Sequence, residues 1–521
     1  MRKVRLWGNV MTDWTEGYRA DIDYTYGYYA ELNPLRAELA LLAAGIAPPQ
    51  TATACELGFG QGLSLNMHAA ASGAQWFGTD FNPSQAAFAQ HLARASGAKL
   101  SVFDEAFEQF CTRTDLPDFD YIGVHGIWSW ISDHNRKVMV DFVRRKLKVG
   151  GVLYMSYNTM PGWAVMVPVR HLLTEHAEVM GAQGRGITSR IEAALEFTEK
   201  LLALNPAYAR LNPAVAERLK KIKGQNRHYV AHEYFNQDWQ PMAFADMAGW
   251  LEPAKLSYAC SAHPLDNVDA VNLTRDAQAF LKDIPDPMFR ETTRDFIVNQ
   301  QFRRDYWMKG MRRLPVLEQA DGLRRLRLIL LTPRADVTLK APGAMGEATM
   351  SENIYAPILE ALGDHKPHSV ADIEKAVKAK SVTLPQVIEA ILVLTGKGDA
   401  VLVQNETSAS AARKTCANLN SHLTGMARAS ANINYLSSPL TGGGIPVERL
   451  QQLFLLAIAG GAKTPADWAK GAWSLLSNQG QRVIKDGKAL EGDAANLAEI
   501  ENRANDFAKK RWPLLKTLMV A

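Results

Sequence analysis

A strand-like run, Ala52-Thr53-Ala54-Cys55, leads into Glu56-Leu57-Gly58-Phe59-Gly60-Gln61-Gly62, and a helix-like run from Leu63 to Ala71 follows. The next apolar run, Trp76-Phe77-Gly78-Thr79, ends in an acid, Asp80. Strand, glycine turn, helix, strand, acid is the layout of a nucleotide-binding α/β unit. Glycines let the backbone approach a ligand closely, and an acid about 20 residues downstream is placed to hold ribose hydroxyls. A dinucleotide site uses G-x-G-x-x-G, so that a pyrophosphate rests on the helix N-terminus. Here the spacing is Gly58-x-Gly60-x-Gly62 with Glu56 just upstream. A carboxylate at that place repels a pyrophosphate and suits a ligand with a cationic amino end.

Residues 52 to 157 alternate between strand and helix patterns. The expected strands are Ala52–Glu56, Trp76–Asp80, Leu100–Phe103, Tyr121–His125 and Val152–Tyr157. The helices between them are Leu63–Ala71, Pro83–Ala95, Ala106–Cys111 and Arg136–Leu147. Such alternation implies an α/β, Rossmann-like domain whose parallel sheet is covered on both faces. Ligands of such sheets sit at the carboxyl ends of the strands, and Glu56, Asp80, Asp104 or Glu105, and His125 all fall at or beside those ends. From about 160 to 335 the pattern is largely helical, with Ser189–Leu204, Pro213–Lys223 and Arg294–Arg313 as helices. From about 352 to 404, helices Ile354–Leu362, Val370–Lys378 and Leu384–Thr395 precede a strand, Ala400–Val403, after Gly396-Lys397-Gly398-Asp399. Three helices and a short hairpin read as a winged-helix-like unit. Residues 407 to 521 are helical again around the loop Leu440 to Pro446. The expected organisation is a cap segment (1–45), a Rossmann-like domain (46–185), a helical middle domain (186–340), the winged-helix-like unit (350–405) and a C-terminal helical domain (406–521).

At 521 residues the chain has room for two to four domains. A net charge of +4 is too slight to imply nucleic-acid binding by composition. Cys55, Cys111, Cys260 and Cys416 lie far apart with no metal-ligand spacing, which argues for a reducing, cytoplasmic setting with no disulfide framework and no metal site. No apolar run is long enough to span a membrane. Met1 to Val10 lacks the pattern of a secretory signal; with a second methionine at Met11, those ten residues read as a start-site extension.

The E-L-G-x-G-x-G form resembles motif I of class I methyltransferases. Their ligand, S-adenosylmethionine, carries an ammonium, a sulfonium and a ribose diol; a structural turn and an NAD site are the alternatives. Further segments are more specific. They are Phe119-Asp120-Tyr121-Ile122-Gly123-Val124-His125-Gly126-Ile127-Trp128-Ser129-Trp130, the run from Gly150 to Trp163, His232-Glu233-Tyr234-Phe235-Asn236, and the run from Asp295 to Arg304. Together they resemble bacterial class I methyltransferases with a methyltransferase regulatory domain, a group that includes the rickettsial outer-membrane-protein lysine methyltransferases. The resemblance covers about residues 20 to 405. One departure concerns the leading segment, which in the family runs from aromatics into Q-T-H-P and here reads Tyr24-Thr25-Tyr26-Gly27-Tyr28-Tyr29-Ala30-Glu31-Leu32-Asn33-Pro34. That segment is expected to cap the site, so the acceptor can differ.

What the resemblance implies is an S-adenosylmethionine-dependent methyltransferase that releases S-adenosylhomocysteine, with a protein lysine amine as the leading acceptor. A small-molecule N-, O- or C-methyltransferase is one rival. A nucleic-acid-binding regulator with a vestigial catalytic domain is another. Gly58, Phe59, Gly60 and Gly62 are assigned to the methionine end of the cofactor, with Glu56 near its amino group and Asp80 on the ribose diol. Phe81 would pack on the adenine, and Asp104 or Glu105 would accept from its exocyclic amine; core packing and a strand cap are the plain readings of Phe81 and Asp104. His125 would bind the cofactor, orient the acceptor or act as a base, or serve the structure alone. Tyr157 and Asn158, at the end of the fifth strand, are the other catalytic candidates. Tyr24, Tyr26, Tyr28, Tyr29, Trp128, Trp130 and Trp163 form an aromatic set suited to a sulfonium or an alkylammonium, although Trp130 and Trp163 also suit a core. The basic run Phe302-Arg303-Arg304, with Arg312-Arg313 and Arg324 to Arg327, reads as a solvated helix face rather than a nucleic-acid patch. The winged-helix-like unit mixes Lys375, Lys378 and Lys380 with Asp372 and Glu374, which favours docking of a protein or of a second copy as a homodimer.

Overall fold

The computed structural model describes residues 15, 18, 24–181 and 186–521. The expected extension over residues 1–10 lies outside them, as does most of the cap segment ahead of Tyr24. After α1 (Pro34–Ala43) the chain runs β1 (Thr53–Leu57), α2 (Leu63–Ala71), β2 (Gln75–Thr79), α3 (Pro83–Ser96), β3 (Leu100–Phe103), α4 (Phe107–Thr112), β4 (Phe119–Val124), α5 (Asp133–Lys146) and β5 (Leu147–Asn158). β6 (Leu256–Ser261) and β7 (Phe302–Lys309) complete a seven-stranded sheet in the order β3-β2-β1-β4-β5-β7-β6. β1 to β5 are parallel, and β7 alone is reversed, antiparallel to both β5 and β6. The order switches direction between β1 and β4, and the crevice this leaves at the strand carboxyl ends is where such sheets take ligands.

The sheet therefore extends well past residue 185. Its last two strands come from a stretch that the sequence pattern assigns to helices, and a helix over Arg294–Arg313 does not form. The helix Pro287–Val298 stops at Asn299, whose φ of +50° breaks it, and β7 begins three residues later. β7 alternates with period two. Arg303, Asp305 and Trp307 face the layer of Phe244 and Tyr258, while Tyr306 and Met308 face the layer of Tyr121 and Tyr154. Charges at 303, 304 and 305 hide that period in the sequence.

Arg303 is accordingly buried, not part of a solvated helix face. Its guanidinium donates to Asp295 (2.6 Å), Glu291 (3.0 Å) and Asp305 (3.0 Å) and lies 4.3 Å from the Phe244 ring centroid. Arg312 and Arg324 are each paired with an acid, Glu318 and Glu374.

Beyond β7, Arg327–Leu330, His368–Ser369 and Ala400–Val403 form a small antiparallel sheet with Arg327–Leu330 in the middle. Helices Glu352–Ala361, Val370–Val377 and Leu384–Lys397 pack with it. Ala400–Val403 pairs back to Arg327–Leu330 and leads directly into the helix Glu406–Met426, capped by Asn405. No hairpin follows that strand, so the unit lacks the wing that the sequence pattern suggested. Among the described residues no helix is long and apolar enough to cross a membrane.

The C-terminal region is mostly helical and is not a separate body. Leu63, Met67, Ala70 and Ala71 of α2 share one core with Cys416, Leu419 and Leu423 of the helix Glu406–Met426. Thr415 Oγ1 donates to the Ala70 carbonyl (2.6 Å). A hairpin, Tyr435–Ser438 with Gly443–Pro446, lies against α2 and the cap segment. A Cβ at Gly443 would meet the Tyr28 hydroxyl at 2.3 Å, so the close approach requires glycine there.

Removing Arg303 strands buried carboxylates. Arg303→Ala is expected to cost about 3–5 kcal/mol, read as a lower urea midpoint, while Arg312→Ala, on the surface, leaves the midpoint in place.

Candidate functional site

Gly58, Gly60 and Gly62 all take left-handed φ, at +70°, +58° and +68°, a region that side chains avoid. The loop is also crowded. A Cβ at Gly58 would sit 2.7 Å from Ile127, and one at Gly62 would sit 2.5 Å from Ala89 Cβ. Gly62 thus serves the packing of α2 on α3, whereas Gly58 and Gly60 face the crevice. Asp80 holds the loop in place. Its Oδ2 accepts from the Gly60 amide (2.8 Å) and its Oδ1 from the Asn82 amide (3.0 Å).

Glu56 lies beside it, 2 % exposed, and its Oε2 has no hydrogen-bond partner among the described residues. Burial, with the charge of Asp80 behind it, pushes the Glu56 carboxyl up to about 8. Burial raises Asp80 to about 7 against the two amide bonds that pull it down. Two neighbouring buried carboxylates with no cation between them are a poor structural choice. They form a well-matched receiver for a cationic group.

The cap segment closes the crevice from above. Gln61 Nε2 donates to the Tyr24 carbonyl (3.3 Å), and the Tyr29 amide donates to Ser64 Oγ (2.8 Å). The Glu31 carbonyl accepts from the Tyr121 and Tyr306 hydroxyls (3.2 and 2.8 Å). Tyr29 is stacked on His125 with centroids 3.7 Å apart, and His125 Nδ1 lies 2.8 Å from the Tyr154 hydroxyl. Burial lowers His125 to about 4, so the ring is neutral near pH 7. Tyr24 forms part of the wall opposite Gly60.

The resulting pocket brings together Glu56, Gly58, Phe59, Gly60, Asp80, Phe81, Glu105, His125, Tyr24, Tyr29 and Trp130. Several sequence candidates lie elsewhere. Asp104 does not line it; Glu105 does, and it also pairs with Arg113 (2.6 Å). Tyr157 points to the opposite face of β5 because strand side chains alternate; Tyr154 takes the pocket side, and the Tyr157 hydroxyl donates to Asp305 (2.9 Å). Asn158 is buried, its amide bonded to Ser129 Oγ and its carbonyl to the Met242 amide. Tyr26 packs on Phe88, and Tyr28 on His68 and Tyr435. Trp128 is fully buried against Trp250, and Trp163 packs with Tyr234 and Trp239.

The pocket also contains residues that the sequence reading did not single out. Ile127, Ile131 and Ser132, from the segment after β4, line it together with Phe107 and Asn135 from the first turns of α4 and α5; the strand-end rule that selected His125 extends to them. Thr15, Tyr18 and Asp238 come from distant segments and carry no local signal.

Comparison with known proteins places this geometry. The family described as "Methyltransferase domain" matches residues 54–151, and the one described as "Predicted methyltransferase regulatory domain" matches 226–309. The uncharacterized protein sll1526 of Synechocystis sp. is 41% identical over 513 residues, covering 98% of this chain and 100% of that protein. RP789 of Rickettsia prowazekii is 28% identical over 292 residues, 54% of this chain and 51% of its own length. Among solved structures, PKMT2 from Rickettsia typhi in complex with AdoHcy has the same fold, with a TM-score of 0.68 at 18% identity over 96% of this chain and 100% of that one.

Asp80→Ala is expected to abolish binding of S-adenosylmethionine, measured by calorimetry; unchanged affinity would place the ribose elsewhere. A cationic ligand favours the ionised forms of Glu56 and Asp80 and lowers their raised pKa values. Binding is therefore expected to release protons near pH 7, with affinity rising as pH rises through about 7 to 8. Titrations in buffers of different ionisation enthalpy read that release directly.

Proposed function

Because this chain belongs to the family of class I methyltransferases that carry a methyltransferase regulatory domain, we propose that it moves a methyl group from S-adenosylmethionine to a protein lysine amine. The observation that carries the cofactor assignment is the orphaned Glu56 Oε2, buried at the end of β1 beside Asp80 and a backbone that only glycine can follow. Glu56 receives the ammonium, Gly58 and Gly60 admit the methionine end, and Asp80 takes the ribose hydroxyls. Phe81 packs on the adenine, and Glu105 rather than Asp104 accepts from its amine. The AdoHcy held by the Rickettsia typhi protein of the same fold supports this assignment.

S-adenosylmethionine brings an electrophilic methyl on a sulfonium, so an acceptor nitrogen forms the new N–C bond as the C–S bond breaks and its electron pair stays on sulfur. The residues of this chain then have two tasks, alignment and exclusion of water. The Tyr29–His125 stack and Trp130 supply apolar, electron-rich walls. Those walls attract a cation and, by desolvation, favour the neutral amine that can attack. Neutral His125 adds no competing positive charge.

The closeness of the cap supports a second reading. With Tyr18, Tyr24 and Tyr29 lining the crevice, the aromatic faces suit a small amine as well as a lysine side chain. Four unpaired, buried cysteines suit a reducing, cytoplasmic setting.

The test is incubation of the purified protein with methyl-labelled S-adenosylmethionine and extract of its source cells, followed by separation into protein, nucleic-acid and small-molecule fractions. Label released from protein as methyl-lysine is the expected result. Label confined to small molecules would replace the protein acceptor with a metabolite.

A further inference from the structure

The cap segment has a second side. Tyr29 faces the cofactor crevice, whereas Tyr28, Glu31 and Arg36 line a separate cavity of about 270 Å³ that shares no lining residue with it. Most of that cavity's wall is apolar, from Leu35, Leu331, Val401, Leu402, Tyr435 and Ile445. Arg36 interrupts it. Its side chain is 14 % exposed, its Nε has no hydrogen-bond partner among the described residues, and its acid contact, Glu31, lies 3.7 Å away, beyond hydrogen-bonding distance. Glu31 is held more closely by Arg304, at 3.1 Å. One carboxylate thus serves two guanidinium groups, and the charge of Arg36 is left over. Thr395, also on the wall, is 4 % exposed, and its hydroxyl has no partner among the described residues either. Buried polar and charged groups without partners are costly to keep. Arg36 also stands in the first turn of α1, where the helix dipole already favours an anion.

We propose that this cavity binds a small monocarboxylate with an apolar body, its carboxylate on Arg36, and that occupying it steadies the cap over the cofactor. A guanidinium with free N–H groups pairs with a carboxylate through two parallel hydrogen bonds, and the apolar walls take the rest of the molecule. A phosphate dianion fits less well, because Glu31 shares the wall and the apolar side chains offer it no further donors. A cavity of roughly 150 Å³ holds benzene, so this one admits an aromatic ring with a short acidic arm. The effect on the cofactor follows from the cap having two faces. Tyr28 and Arg36 would touch the ligand, while Tyr24 and Tyr29 of the same segment line the crevice. A ligand that holds one face favours the closed arrangement of the other, and by linkage each ligand tightens the other by the same factor. This second part rests on the cap closing the cofactor site; the first part does not.

The probe is phenylacetate, with the neutral phenylacetamide as its control, titrated into the full-length protein by calorimetry. Saturable binding of phenylacetate is expected, with the amide weaker by roughly tenfold or more. Arg36→Gln is expected to remove that preference, and Val401→Phe, which fills the apolar part of the cavity, to abolish binding of both. Both variants are expected to bind S-adenosylhomocysteine as the wild type does in the absence of phenylacetate. Saturating phenylacetate is expected to tighten S-adenosylhomocysteine on the wild type by about fivefold or more. Phenylacetate that fails to bind, or binds no better than the amide, would overturn the site. So would a Val401→Phe protein that binds it as the wild type does; if that variant does not fold, unchanged binding by Arg36→Gln overturns the site instead. Tight phenylacetate binding with an unchanged S-adenosylhomocysteine affinity would overturn the coupling and leave the site standing. A protein that binds phenylacetate and no S-adenosylhomocysteine would overturn the cofactor reading, and the coupling with it.

Discussion

Two carboxylates sunk side by side at the ends of β1 and β2 are the constraint around which the site is built. Glu56 and Asp80 are 2 % and 5 % exposed; burial penalises the charge of each, and the charge of Asp80 further penalises that of Glu56. A fold keeps such a pair when something pays for it. Asp80 has the amides of Gly60 and Asn82. Glu56 Oε2 has no hydrogen-bond partner among the described residues. We propose that the group it receives is the cationic amino-acid end of S-adenosylmethionine; a carboxylate there would repel a pyrophosphate.

Around that pair the chain builds a closed site from distant parts. The cap segment is tied to α2 through Ser64 and Gln61, to the sheet through Tyr121 and Tyr306, and to the C-terminal hairpin through Tyr28 and Asn33. The C-terminal region thus bears on the site without lining it. The buried Arg303 cluster does similar work from below, joining Asp305 on β7 to Tyr157 on β5 and to the helix that carries Asp295. The regulatory segment is therefore part of the catalytic sheet, since it contributes β6 and β7 and also the helix Arg227–Tyr234, whose His232 packs against Tyr18 and Tyr24.

Elements with a clean local period were legible in the sequence. α2 runs over Leu63–Ala71 and β3 over Leu100–Phe103, as their patterns indicate, and the other strands of β1 to β5 differ by a few residues at their ends. The strand-end rule selected Glu56, Asp80, Asp104 or Glu105, and His125; the pocket contains all of these except Asp104. What stayed hidden depends on long-range contact. β7 reads as a charged helix because its buried arginine is neutralised by residues from a neighbouring helix. Tyr24 and Tyr29 look no different from Tyr26 and Tyr28; it is contacts distant in sequence, with Phe88 of α3 for Tyr26 and with His68 and Tyr435 for Tyr28, that separate the pair facing the crevice from the pair that does not. Tyr157 fails by one position, since β5 alternates and the pocket lies on the Tyr154 side. Trp163 is aromatic and close in sequence to the strand end, yet its neighbours are Tyr234 and Trp239.

The most direct measurement is hydrogen–deuterium exchange of the whole protein with and without S-adenosylhomocysteine. A single site formed by the strand ends and the cap requires protection in three separate peptides together: Glu56 to Gly62, Asp80 to Gln85, and the cap from Tyr24 to Asn33. Protection confined to the first two, with exchange in the cap unchanged, would contradict the closed site. Protection outside all three would contradict the placement of the cofactor itself.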